Sequence, residues 1–203
     1  MRRRLCALMM TLILPLTACG GGGQEREAEK ALLELRGKYL EMTACSGHLN
    51  LTADYGQRVY TYGVDFTWAK EGETDLTITA PANVAGTTAH IAAGETTLEY
   101  NGVMVETGPI DSAGLSPIDA LPAFLTYIRE GFAAECVLEE QDGAQRLHVV
   151  CRDPEKGPGQ GIECDLWFQP DTGALLRGEL SEEGYTVIYS DVTGFTMELP
   201  AEK

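Results

Sequence analysis

Residues 59–68 read VYTYGVDFTW. Tyr60, Tyr62, Val64, Phe66 and Trp68 fall on every second position, with Val59, Thr61, Gly63, Asp65 and Thr67 between them. That is the period of a long β-strand with one bulky face. The same period precedes it at Leu49 and Leu51. It returns after a turn within residues 70–73, at Leu76, Ile78 and Ala80, where Pro81 ends the run. Farther on, Asn101-Gly102 suits the positive φ angles of a type I′ turn between strands at residues 96–100 and 103–107, so that Tyr100 faces Val103 and Leu98 faces Val105.

Further strands are expected at residues 132–140, 145–152, 162–169, 174–181 and 185–191. Between them lie Gln141-Asp142-Gly143, a Gly/Pro loop at 153–161, Pro170-Asp171-Thr172-Gly173 and Glu182-Glu183-Gly184. Loops this short join antiparallel neighbours. Two helices interrupt the strands. Over residues 24–42 the apolar positions Ala28, Ala31, Leu32, Leu35, Tyr39 and Met42 recur at helical spacing. Ser116 with Pro117 reads as an N-cap and first helical residue, leading into Ile118, Leu121, Phe124, Leu125 and Ile128, with Pro122 kinking or restarting the helix. The order is helix, about six strands, helix, about five strands, in one mainly β domain with α elements (α+β) over residues 24–199.

The chain has 203 residues, 44% of them hydrophobic, with a formal charge of −16. Those values suit one globular domain and exclude a collagen, a coiled coil or a disordered tail. The acidity also excludes nucleic acid as a partner, since the phosphate backbone repels such a surface. At the amino end Arg2-Arg3-Arg4 precede an apolar run from Leu5 to Leu16 and then small residues, the anatomy of an export signal over residues 1–18. The run is about a dozen residues, short of the roughly 20 that cross a bilayer as a helix. Leu16-Thr17-Ala18-Cys19 resembles the lipobox of bacterial lipoproteins. That resemblance implies that Cys19 carries a diacylglyceryl group, that residues 19–23 form a lipidated Cys and glycine linker, and that the protein is tethered outside the cytoplasm to the bacterial cell membrane. Two acyl chains give stable anchoring where one does not.

Cys45, Cys136, Cys151 and Cys164 then remain, and an even number in an exported chain suggests two disulfides. Cys151 and Cys164 flank a turn-rich segment and are expected to meet across a hairpin, leaving Cys45 with Cys136; the alternative is four buried free thiols. The spacing of these cysteines and of His48, His90 and His148 gives no metal site and no local nucleophile, base and orienting set. Gly157-Pro158-Gly159-Gln160-Gly161 lacks the strand-to-helix context of a phosphate loop, and the acidic runs at 139–142 and 182–183 read as solvated turn flanks. No catalytic residue and no cofactor is expected.

What remains is the aromatic face. It is either ordinary core beneath a helix or the lining of an apolar cavity that a curved sheet and its helices fail to fill, with Tyr62, Phe66, Trp68, Ile78 and Tyr100 as ligand-contacting candidates. The element order, together with the closing stretch WFQPDTGALLRGELSEEGYTVIYSDVTGF, in which Asp171, Gly173, Arg177 and residues 185–191 carry the pattern, resembles the LolA/LolB/LppX-like lipoprotein family. The resemblance implies an open antiparallel half-barrel of about 11 strands with helices on its concave side, holding a lipid or acyl chain without enzymatic chemistry. A tethered member implies an alternative role, that of a docking lipoprotein of the spore-germination GerS type, which recruits or activates a cell-envelope protein or spore-cortex enzyme. The four mature cysteines match no motif of that family.

Overall fold

The computed structural model describes residues 21–70, 73–108 and 114–200. The export signal and Cys19 lie outside the described residues. Helix α1 (Gly21–Glu41) leads into six strands, β1 (Ala44–Asp54), β2 (Val59–Ala69), β3 (Thr74–Ala80), β4 (Thr88–Ala92), β5 (Glu95–Tyr100) and β6 (Val103–Glu106). Helix α2 (Ala120–Glu130) then precedes β7 (Ala133–Gln141), β8 (Ala144–Arg152), β9 (Ile162–Phe168), β10 (Leu175–Glu182) and β11 (Tyr185–Glu198). All 11 strands form one open antiparallel sheet in the order β6-β5-β4-β3-β2-β1-β11-β10-β9-β8-β7. Two meanders are thus joined at their first and last strands, and the helices lie on one face, called here the inner face.

Local chemistry builds this pattern. Asn101-Gly102, Asp142-Gly143, Glu183-Gly184 and Ala93-Gly94 each place two successive residues at positive φ, the geometry of a tight hairpin. The Ala93-Gly94 turn creates β4, a strand the alternation leaves unmarked because alanine rarely takes that conformation. On β2 the expected bulky face is the inner one: Val64, Phe66 and Trp68 are buried, whereas Asp65 and Thr67 are exposed. Strand β11 runs seven residues beyond the expected end at Asp191, because β1 continues to Ala44 and pairs with it as far as Glu198. A register shift between Ser46 and His48, with Gly194 at positive φ, accommodates the extension.

The helices differ from expectation at their starts. α1 begins at Gly21, so three of the four glycines read as linker form its first turn. α2 begins at Ala120 and not beside Ser116; Ser116 instead closes the preceding turn, its Oγ accepting from the Asp119 N–H at 3.2 Å and donating to Asp119 Oδ2 at 2.6 Å. Pro122 therefore sits in the first turn, where its missing N–H has no helical acceptor to lose.

The expected disulfides are also absent: all four cysteines are free. Cys45 on β1 and Cys136 on β7 are separated by four intervening strands, a path of about 24 Å at the usual spacing of roughly 4.8 Å per strand. Cys151 and Cys164 do stand opposite each other across β8 and β9, but the Cys151 thiol turns to the Tyr127 carbonyl of α2 at 3.6 Å.

Two contacts fix the helices to the sheet. The buried Tyr39 hydroxyl donates to the Gly173 carbonyl at 3.0 Å, while its ring meets Phe168 edge-on at 5.5 Å and Phe195 at 6.3 Å. On α2, the Phe124 ring lies over Gly178 so closely that a Cβ there would stand 2.7 Å from it. Gly178→Ala is expected to cost about 1–3 kcal/mol by overpacking and Phe124→Ala about 3–5 kcal/mol by leaving a hole. Urea denaturation of the double variant is expected to show less loss than the sum, since the added methyl enters the space the ring vacates.

Candidate functional site

The helices do not cover the inner face evenly. α1 packs on β7 and β8, and α2 on β9 and α1. Over β2–β5 the cover is thinner. Arg129 of α2 stacks its guanidinium on Trp68, 5.2 Å from the ring centre, and the segment Ser116–Ile118 passes across the other end. Between that segment and the sheet is a half-open hollow of about 430 Å³.

Its wall comes from Tyr62 and Val64 of β2, Leu76 and Ile78 of β3, Thr88 and Ala89 of β4, and Leu98 of β5. Val84 and Thr87 close one side, Ile118 and Tyr55 the other. The lining is predominantly apolar. Several of its hydroxyls are already bonded within the protein: Tyr55 to the Leu115 carbonyl at 3.1 Å, Thr87 to the Val84 carbonyl at 2.7 Å and Ser116 to Asp119. A guest here meets methyl and ring carbon, and recognition rests on burial of its own apolar surface.

The five residues expected at such a site divide. Tyr62 and Ile78 line the hollow. Phe66 and Trp68 belong to the core on the same face, farther along β2. Phe66 packs against Phe195 at 6.3 Å and fits only because Gly47 opposite has no Cβ, which would stand 2.9 Å from the ring. Tyr100 lies outside the hollow, exposed, its hydroxyl donating to the Asn83 carbonyl at 3.2 Å. The alternation of β2 marks the face but not where the helical cover stops, so Leu98, Val84 and Ile118 went unmarked. Tyr55 continues the ring row beyond the hairpin, with Tyr60 at 6.3 Å and Tyr62 a further 6.5 Å from Tyr60.

The outer face carries the polar chemistry. Each histidine meets an aspartate of a neighbouring strand: His48 with Asp65 at 2.6 Å, His90 with Asp75 at 2.7 Å and His148 with Asp165 at 2.8 Å. His148 also stacks on Trp167 at 4.2 Å, and Arg177 lies against both Trp167 and Tyr189 while its Nε donates to Asp191. Burial among these groups, with Asp165 near, raises the Glu179 carboxyl above the usual range. These are cross-strand pairs between neighbouring strands, most numerous on β8–β11. Among the described residues no group of three or more His, Cys, Asp or Glu is placed to hold a metal ion.

The thiols respond to burial. It pushes Cys45 up to about 12 and Cys151 up to about 11, and raises Cys164 well above the ordinary thiol value. Cys136 is raised first by burial and then by Glu29 and Glu25 of α1, but it alone of the four is partly exposed. Iodoacetamide at pH 8 is therefore expected to label Cys136 first, with the other three reacting at the rate of unfolding; mass mapping of alkylated peptides checks this.

No family model matches the chain, and no curated protein does. Several solved structures are similar to the chain at low identity. A DUF1329 family protein from Desulfovibrio piger is 12% identical, with a TM-score of 0.47 over 88% of this chain and 95% of its own. A LolA superfamily protein from Nitrosomonas europaea is 11% identical, with a TM-score of 0.44 over 85% and 94%. The Mycobacterium tuberculosis lipoprotein LppX is 13% identical, with a TM-score of 0.46 over 86% and 100%.

Proposed function

We propose that this protein is an extracytoplasmic, lipid-anchored, non-enzymatic lipoprotein that takes a hydrophobic guest, a lipid or a single acyl chain, into the hollow under β2–β5. The observation that carries the reading is the hollow itself: about 430 Å³ between the sheet and the Ser116–Ile118 segment, with a predominantly apolar lining. Its size lies within the roughly 300–1,000 Å³ common for small-molecule sites. Apolar walls left open to water are unfavourable, and an acyl chain lying against them removes that surface from solvent. Among the described residues the lining holds no charged side chain, which favours a guest recognised by its tail.

Anchoring supports the same reading from the amino end. The basic, apolar and small-residue segments end at Cys19, and no helix among the described residues is long and apolar enough to cross a membrane. A strongly acidic body is held off an anionic bilayer, so attachment falls to the acyl chains on Cys19. Cys19→Ser is expected to move the protein from the membrane fraction to the soluble fraction or to leave the signal uncleaved. Unchanged retention with normal processing counts against the anchor.

Native mass spectrometry of protein purified from membranes tests the hollow, with a retained mass of lipid size expected. Saturating oleate is expected to raise Tm by several degrees, since a ligand at about 100 times its Kd adds about 2.7 kcal/mol. Ile78→Trp, which fills the hollow, is expected to abolish both effects. No adduct together with no thermal shift in the unaltered protein sinks the reading.

A further inference from the structure

The two edges of the sheet are finished differently. β7 is overlain by α1, whose Gln24 side chain donates to the Leu138 carbonyl at 3.2 Å. β6 pairs with β5 on one side and with no described strand on the other. Every residue of β6 is exposed, Val103 at 63%, Met104 at 69% and Val105 at 51%. A bare apolar edge is a template for pairing, which folded proteins ordinarily remove with charge, proline or a covering element. Here Glu106 is its single charge.

The hairpin fixes which backbone groups face outward. The Thr107 N–H donates to the Thr96 carbonyl at 2.9 Å, so that pair is hydrogen-bonded. By the alternation of an antiparallel ladder, Leu98–Val105 and Tyr100–Val103 are bonded too. The N–H and C=O of Met104 therefore point away from β5. The two faces of the edge also differ. Leu98, across from Val105, lines the hollow, so Val103 and Val105 prolong that apolar wall, whereas Met104 and Glu106 stand on the outer face beside Glu99.

Charge selects the occupant. Residues 71–128 hold eight Asp or Glu and no Lys or Arg. A second copy of the chain brings the same acidic wing against itself, and an anionic lipid surface is repelled in the same way. An extended segment that alternates apolar and basic side chains matches both faces at once, with the period of two that a strand imposes.

We propose that β6 is the docking edge for an extended basic segment of a partner protein, which joins the sheet as an added strand. Its apolar side chains continue the wall of Val103 and Val105, and its lysine or arginine side chains lie against Glu99 and Glu106. The proposal does not rest on the hollow being filled.

Fluorescence anisotropy of a labelled heptapeptide of alternating valine and lysine, titrated with the full chain, tests it. Binding is expected, weakening as salt rises. Met104→Pro removes an outward donor without touching the β5–β6 ladder and is expected to lower affinity at least tenfold while oleate binding persists. The variant Glu99→Lys with Glu106→Lys, whose changes lie on the exposed outer face, is expected to do the same, and circular dichroism confirms that both variants fold. The proposal is overturned if no binding occurs, if a valine–glutamate peptide binds equally well, or if Met104→Pro leaves affinity unchanged. A dimer of the chain that Met104→Pro abolishes also overturns it, by making the occupant a second copy.

Discussion

Strand β1 is hydrogen-bonded on both flanks, to β2 and to β11, and the structure depends on that second seam. It is the single pairing among the described strands that joins elements not consecutive in sequence. Every other pairing closes through a local turn, whereas this one brings together residues separated by most of the chain and bears the corresponding loop-closure cost. What it gains is one continuous inner face. Leu49 faces Val192, Leu51 faces Ser190 and Ala53 faces Ile188, so the apolar rows of the two meanders merge into one core. Without it, each meander would present half a hydrophobic face to water.

The hollow follows from how that face is covered. Among the described residues two helices face 11 strands, and both lie over the half where the fit is closest. α2 is seated by the Phe124 ring on Gly178, and α1 by Tyr39 against Phe168 and Phe195. At Gly47 and Gly178 the sheet lacks a side chain where an aromatic ring must approach. Under β2–β5 no such seat exists. Space remains there because Ser116–Ile118 passes over it as a turn, too narrow to fill what a helix would.

Much of this was legible in residues 59–68 and in the glycine-bearing turns, because period-two alternation and positive-φ pairs are local signals. The helical stripe from Ala28 to Met42 was legible for the same reason. Three features were not. Strand β4 hides behind Ala93, a residue with no preference for the turn it occupies. The extension of β11 past Asp191 depends on its partner β1. Cys45 and Cys136 were matched by elimination, an arithmetic blind to the four strands that part them. The site shows the same division: Tyr62 and Ile78 follow from alternation, whereas the filled core at Phe66 depends on Phe195 of β11 and on Gly47 of β1, partners distant in sequence or on another strand.

The β1–β11 seam also has a consequence for biosynthesis. A ribosome releases β1 long before β11, so β1 must wait, with one flank bare, until β11 has emerged. Consolidation of the core is thereby deferred until β11 is available to pair. A polypeptide of this topology is suited to leaving its site of synthesis while still unfolded and to acquiring its shape afterwards, in a single late step.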